Sequence, residues 1–122
     1  MIAADTSTWI SFFEGQQGED VGALKRALEA RQIVMPPPVL TELLSDPELS
    51  SSVAQTLLDL PLLGLRDGFW HRAGKLRARA LARNRKARLG DALIAQCCID
   101  SDVALITRDG DFKAFTQTLN LL

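Results

Sequence analysis

Val103-Ala104-Leu105-Ile106-Thr107-Arg108-Asp109-Gly110-Asp111-Phe112 is the stretch that decides the fold. Its first four residues form an uninterrupted apolar run with polar residues on both sides. That is the pattern of a short strand buried on both faces, and it is too brief for a helix. Asp-Gly in the polar tail marks a turn as soon as the strand ends. Upstream, Gly90 and Asp91 open a helix that runs through Cys98. Phe69, Ala73, Leu76 and Ala80 recur at i, i+4, i+7 and i+11, which predicts a helix over 67 to about 83.

Further out, residues 1–5 read as a buried first strand ending in an acid. Residues 33–35 read as a short second strand, 62–65 as an extended segment and 119–122 as an edge strand. Thr6-Ser7-Thr8 offers capping hydroxyls for a helical turn or two over 9–13. Val21, Leu24 and Leu28 follow helical spacing. So do Val39, Leu40, Leu43 and Leu44, which follow Pro36-Pro37-Pro38 and stop near Pro47. Val53, Leu57 and Leu58 suggest another short helix. Strands separated by helices predict an α/β domain with a central parallel sheet and helices on both faces. At 122 residues the expectation is one domain spanning 1–122.

The composition narrows the function classes. Hydrophobic residues make up 47% and charged residues 24%, an ordinary globular balance, and the net charge of −1 says nothing about partners. Charge distribution says more. No acid lies between Asp67 and Asp91, an interval that holds eight of the 14 basic residues, from Arg72 to Arg88. Such asymmetry points to a polyanionic partner. The cysteines are the adjacent pair Cys97 and Cys98 and the one histidine is His71, so a structural zinc site or an ordinary disulfide is not expected. No apolar run is long enough to span a membrane, and no basic leader precedes Asp5. The expectation is a reduced, cytoplasmic protein with no membrane partner.

The chemistry rests on acids. Ligands of open parallel sheets bind beyond the carboxyl ends of the strands, where Asp5 and Asp109 fall. Asp5 also reads as a helix N-cap, and Glu42, three residues after Val39, as a solvated position at the edge of an apolar face. Asp91 heads the apolar stripe Ile94, Ala95, Cys98, where a charge is costly unless paired, although an acid also suits a helix start. Asp109 and Asp111 flank a Gly that equally marks a turn. Asp5, Glu42, Asp91 and Asp109 converging at one sheet edge would repel one another without a cation. An all-oxygen set suits Mg²⁺ or Mn²⁺. Such an ion can activate a water and stabilise charge at a phosphodiester. With no useful His, Cys or Ser triad, metal-assisted hydrolysis is the chemistry these residues favour.

These motifs in this order carry a likeness. Asp5-Thr6-Ser7 after a first strand, Glu42 in an early helix, Gly90-Asp91-Ala92-Leu93-Ile94-Ala95, and 105–112 resemble the PIN-domain family over nearly the whole chain, and most closely its VapC-type toxins. The resemblance implies a metal-dependent endoribonuclease using Asp5, Glu42, Asp91 and Asp109, with Asp5, Asp91, Asp109 and Asp111 as metal ligands. It places Asp109 ahead of Asp111 because Asp109 directly follows the strand. It implies Ser7 and Thr107 as hydroxyl support, a homodimer, an RNA substrate, and an antitoxin that wraps the toxin and blocks the site.

On the 67–83 helix and its extension, Arg72, Lys75, Arg79, Arg83 and Lys86 fall 3 or 4 residues apart as a cationic stripe. With no acid among them, they are the candidates for holding an RNA backbone, by contacts that give affinity rather than sequence choice. His71 reads as a surface or partly buried residue. Trp9, Phe12 and Phe13 read as core or dimer face, and Cys97 and Cys98 as core packing. Two other functions fit an acidic α/β domain. A phosphotransfer receiver would want paired acids after the first strand, where Ala3 and Ala4 stand, and a late lysine, for which only Lys113 is available. A silent nucleic-acid-binding module of the same fold would have no need of the intact acidic set.

Overall fold

The structure, a computed structural model, describes residues 1–122. Two parallel strands form its centre. β1 (Ile2–Ala4) pairs with β2 (Ala104–Ile106) in the register Ile2 to Ala104, Ala3 to Leu105 and Ala4 to Ile106. Ala3, Ala4, Leu105 and Ile106 are all buried, so both faces are covered, as an apolar strand without alternation requires.

The other expected strands contribute single parallel bridges: Ile33 beside Ile2, Leu62 beside Met35, and Leu121 beside Leu105. Their shortness has a local cause. Pro36 ends one extended segment and Pro61 precedes another, and a proline cannot donate to a ladder. Across the sheet the order is therefore 62, 33–35, β1, β2, 121. Chain order runs outward in one direction from β1 and in the other from β2. The order reverses between β1 and β2, and a crevice at such a switch point is where α/β folds bind ligands.

Six helices surround this sheet: α1 (Thr6–Phe13), α2 (Glu19–Glu29), α3 (Pro37–Leu44), α4 (Ser51–Leu58), α5 (Phe69–Ala82) and α6 (Leu89–Asp100). A short 3-10 helix, Gly110–Phe115, follows β2. Prolines at the first positions of α3 suit their missing N–H groups. The stripe Phe69, Ala73, Leu76, Ala80 is buried along its whole length. On α6 every residue from Ile94 to Cys98 is buried, and the helix packs against α3, α5 and β2. A helix apolar on all sides belongs in the interior. The one acid of its first turn, Asp91, is thereby carried to the sheet edge.

The cationic stripe expected on α5 does not survive folding as one feature. The helix ends at Ala82, so Lys86 lies beyond it. Arg72 is consumed by Asp100 at the end of α6, in a two-pronged pair at 3.1 and 2.6 Å. Arg83 donates to the carbonyl of Ala114 and to Gln117. Lys75 and Arg79 have no partner. The run is free of acids only along the chain, because Asp100 arrives in space from a neighbouring helix. His71 is exposed, and Trp9, Cys97 and Cys98 are buried. Phe12 is partly buried, while Phe13 is exposed. No helix is long and apolar enough to cross a membrane.

Candidate metal centre

Asp5 follows β1 directly and is the N-cap of α1, its Oδ1 accepting the Thr8 N–H at 3.0 Å. The capping reading and the site reading thus describe the same residue. Ser7 Oγ donates to the same carboxylate at 2.8 and 3.0 Å. Thr107, directly after β2, donates to Asp5 Oδ2 at 2.7 Å. Its Oγ1 also accepts the Asp109 N–H at 2.9 Å. Asp5 is 3% exposed, so these donors replace water around its charge. Adjacent parallel strands make this link: residues 102 apart in the chain meet because β1 and β2 are in register.

Three more carboxylates form a cluster of their own. Asp91, Asp109 and Asp111 offer oxygens that all lie within 4.8 Å of one another. Asp109 caps the 3-10 helix by accepting the Asp111 N–H at 2.9 Å, so the Asp-Gly-Asp turn holds both acids on one side. Glu42 is not in this triad. It is held on α3 by the Thr6 hydroxyl at 2.7 Å, close enough for its charge to act on Asp91. Of the four expected metal ligands, Asp91, Asp109 and Asp111 stand together in the tight cluster, while Asp5 is tied through Thr107 to the segment that carries Asp109; Glu42 acts on Asp91 from α3.

The electrostatics bear the mark of crowding. Asp91 is pushed up to about 6, first by burial, then by Asp109, with Glu42 and Asp111 adding and Arg88 opposing. Its Oδ2 is buried without a hydrogen-bond partner. Asp91 thus lies among two other carboxylates while one of its own oxygens is buried with nothing in the protein to satisfy it. Hard-oxygen donors close together fit a divalent ion such as Mg²⁺ or Mn²⁺. Lys86 Nζ, 3.3 Å from Asp111 Oδ2 and largely exposed, is the one cation in an ion pair with the triad.

Two features lay outside the sequence reading. Asp20, near the start of α2, takes a fork from Arg108, and its acid character alone gave no reason to single it out. Trp70 is 67% exposed and stands edge-on to Phe69, with ring centroids 5.0 Å apart. With Pro37, Pro38 and Leu65 these rings line an apolar groove of about 330 Å³ that reaches Glu42 and Gly90. An exposed aromatic adjacent to a buried stripe position could have been noticed from α5's periodicity.

Comparison with known proteins agrees with this architecture. No curated protein is similar in sequence. Among the solved structures that match, three cover the whole chain as follows. FitAcB from Neisseria gonorrhoeae is 17% identical with a TM-score of 0.72, the match covering 96% of that chain. FitAB bound to an IR36 DNA fragment is 19% identical with a TM-score of 0.76 and 94% of that chain covered. VapBC2 from Rickettsia felis, bound to a DNA fragment from its promoter, is 21% identical with a TM-score of 0.76 and 98% of that chain covered. A family model described as PIN domain matches residues 2–117. The acids at the β1–β2 switch point thus sit within a family match that takes in nearly the whole sequence, and the chain belongs to the PIN domain family.

Proposed function

We propose that the chain is a divalent-metal-dependent endoribonuclease and the toxin of a toxin–antitoxin pair. The observation that carries this reading is the triad Asp91, Asp109 and Asp111 at the sheet's switch point, with the Asp91 Oδ2 atom buried and unpartnered. Asp91, Asp109 and Asp111 would hold the ion. Asp5, Ser7 and Thr107 would form the adjoining wall, and Glu42 would stand at the rim. A bound Mg²⁺ or Mn²⁺ supplies a Lewis acid that lowers the pKa of a water and offsets charge developing on a phosphodiester.

The chain's own residues do the rest. Thr107 donates its hydroxyl proton to Asp5, which fixes the orientation of that carboxylate, and uses its lone pair to anchor the Asp109 backbone. Glu42, bonded to Thr6, faces Asp91 as a rim carboxylate that can accept a proton from the attacking water. Lys86, on a long exposed stem, can exchange Asp111 for a phosphate oxygen. Lys75 and Arg79, unpaired on α5, add charge for the nucleic-acid backbone, whereas Arg72 is committed to Asp100. The Trp70 groove beside Glu42 suits an unpaired base, since every base offers a face to stack.

The FitAB and VapBC2 structures support a protein partner for the chain; in the proposed function this partner is an antitoxin, placed so that it covers the acidic centre. A homodimer and a cytoplasmic setting complete the proposal.

The activity has a direct test. Purified chain incubated with single-stranded RNA and Mg²⁺ or Mn²⁺ should cleave it internally, stop when the metal is chelated, and resume when metal is restored. Cleavage that continues undiminished in chelator would remove the metal from the reading. Binding of RNA without cleavage at any metal concentration would favour the silent binding module instead.

A further inference from the structure

Arg108 lies between Thr107 and Asp109, yet its guanidinium bonds the α1–α2 region rather than Asp91, Asp109 or Asp111. Its Nε and Nη2 donate to Asp20 Oδ2 and Oδ1 at 2.7 and 3.0 Å. Nη1 donates to Gln16 Oε1 at 3.1 Å, and Nη2 also reaches the Gln17 carbonyl at 3.4 Å. Asp20 is held from a further side, its Oδ2 accepting the Thr8 hydroxyl at 3.0 Å, and its side chain is only 9% exposed. Gly18 completes the fit. Its φ is +155°, and a Cβ there would come within 2.7 Å of Asp20 Oδ1 and 3.1 Å of Arg108 Nη2. A side chain at position 18 is thus opposed both by conformation and by the two groups themselves.

Three segments meet on this pair: the first turn of α1 through Thr8, the α1–α2 loop through Gln16 and Gln17, and the segment after β2 through Arg108. Those segments also carry the residues of the centre. Asp5 caps α1, and Thr107 and Asp109 flank Arg108. On the inner side, Asp109 has reason to move away, because its carboxylate faces those of Asp91 and Asp111. A two-pronged guanidinium–carboxylate pair fixes direction as well as distance, which an ammonium cannot do.

We propose that Asp20 and Arg108 are a positioning pair that holds Thr107 and Asp109 against like-charge repulsion, presetting the acidic centre before a cation arrives. The inference rests on the reading of that centre as a metal site. It assigns neither residue any contact with metal or substrate.

The test compares wild type with Arg108→Lys, Arg108→Gln and Asp20→Asn. In metal-free protein, hydrogen exchange is followed at two amides inside the held segment: Asp109 N–H, bonded to Thr107 Oγ1, and Asp111 N–H, bonded to Asp109 Oδ1, both at 2.9 Å. Exchange at these two should rise about tenfold in each variant, while amides of β1 and α6 keep their rates. Mn²⁺ affinity by calorimetry should fall about 10–100-fold, the range for outer-shell partners of a metal site. The double variant Asp20→Asn/Arg108→Gln should be no worse than either single one. Unchanged exchange at the two amides, or a uniform rise across the molecule, would overturn the positioning role. So would unchanged Mn²⁺ affinity. If wild type takes no Mn²⁺ at all, the metal reading fails and with it the role proposed here, whereas the metal-free exchange arm still reports whether the pair restrains residues 107–111.

Discussion

Asp91→Asn is expected to stabilise the metal-free protein at pH 8 and to destroy its activity. In the folded chain burial and Asp109 raise this carboxyl from 3.8 to about 6. A group raised on folding contributes stability that is fully present below its unfolded pKa, near pH 4. That contribution is lost as pH climbs through about 6. At pH 8 wild type therefore carries the full cost of an ionised, crowded Asp91. The raised pKa caps this at about 3 kcal/mol, and partial exposure to solvent reduces it to about 1–2 kcal/mol. An asparagine avoids the cost and can donate to the neighbouring carboxylates. In chelator the variant should melt several degrees above wild type at pH 8, with the gap closing toward pH 4. Saturating Mn²⁺ should reverse the order, because only wild type gains from binding. Cleavage should fall by more than the roughly 10–100-fold that an outer-shell partner costs. A variant that melts below wild type in chelator at pH 8 would contradict this account of the crowding.

Asp5→Ala should behave in the opposite way and unfold the protein readily. The carboxylate receives the Thr8 N–H, the Ser7 hydroxyl and the Thr107 hydroxyl in a buried setting. Loss of an N-cap costs about 0.5–2 kcal/mol, and each buried polar group left without a partner about 1–3 kcal/mol. Ser7 and Thr107 are only half-buried and can regain water, so the expected loss is at the low end of these ranges, about 2–4 kcal/mol, a large part of the stability of a small domain. Urea unfolding of Asp5→Ala against Asp5→Asn measures it: the alanine variant should lose most, while asparagine keeps an acceptor oxygen and loses about half as much. An alanine variant as stable as wild type would show that the donors re-solvate freely. Inactivity of Asp5→Ala alone therefore does not report on metal binding, and Asp91→Asn is the cleaner probe of the chemistry.

Much of this architecture was readable in the residues. The apolar run 103–106, the periodic stripe on α5 and the acid heading α6 each declare their place through period and burial alone. Asp5 and Asp109 were legible because strand ends in parallel sheets have a defined chemistry. What could not be read is what depends on distant segments meeting. Asp109 and Asp111 flank one glycine in the sequence, which ranks Asp109 first at the strand end, and it is the 3-10 helix after Asp109 that brings both to Asp91. Glu42 is aligned with α3 and stops at the rim. The acid-free basic run lost Arg72 to Asp100 and Lys86 to Asp111, neither of which is its neighbour along the chain. Asp20 carried no local signal, since its meaning lies in an arginine 88 residues away.

In the proposed function Asp91, Asp109 and Asp111 hold a divalent cation. Anomalous diffraction from a crystal of the protein soaked in Mn²⁺ decides whether they do. One strong peak is expected about 2.1 Å from carboxylate oxygens of this triad, and the oxygens nearest the peak would apportion the last motif between Asp109 and Asp111. A crystal saturated with Mn²⁺ that shows no peak there, or shows peaks only at surface acids such as Asp46 and Glu48, would contradict it.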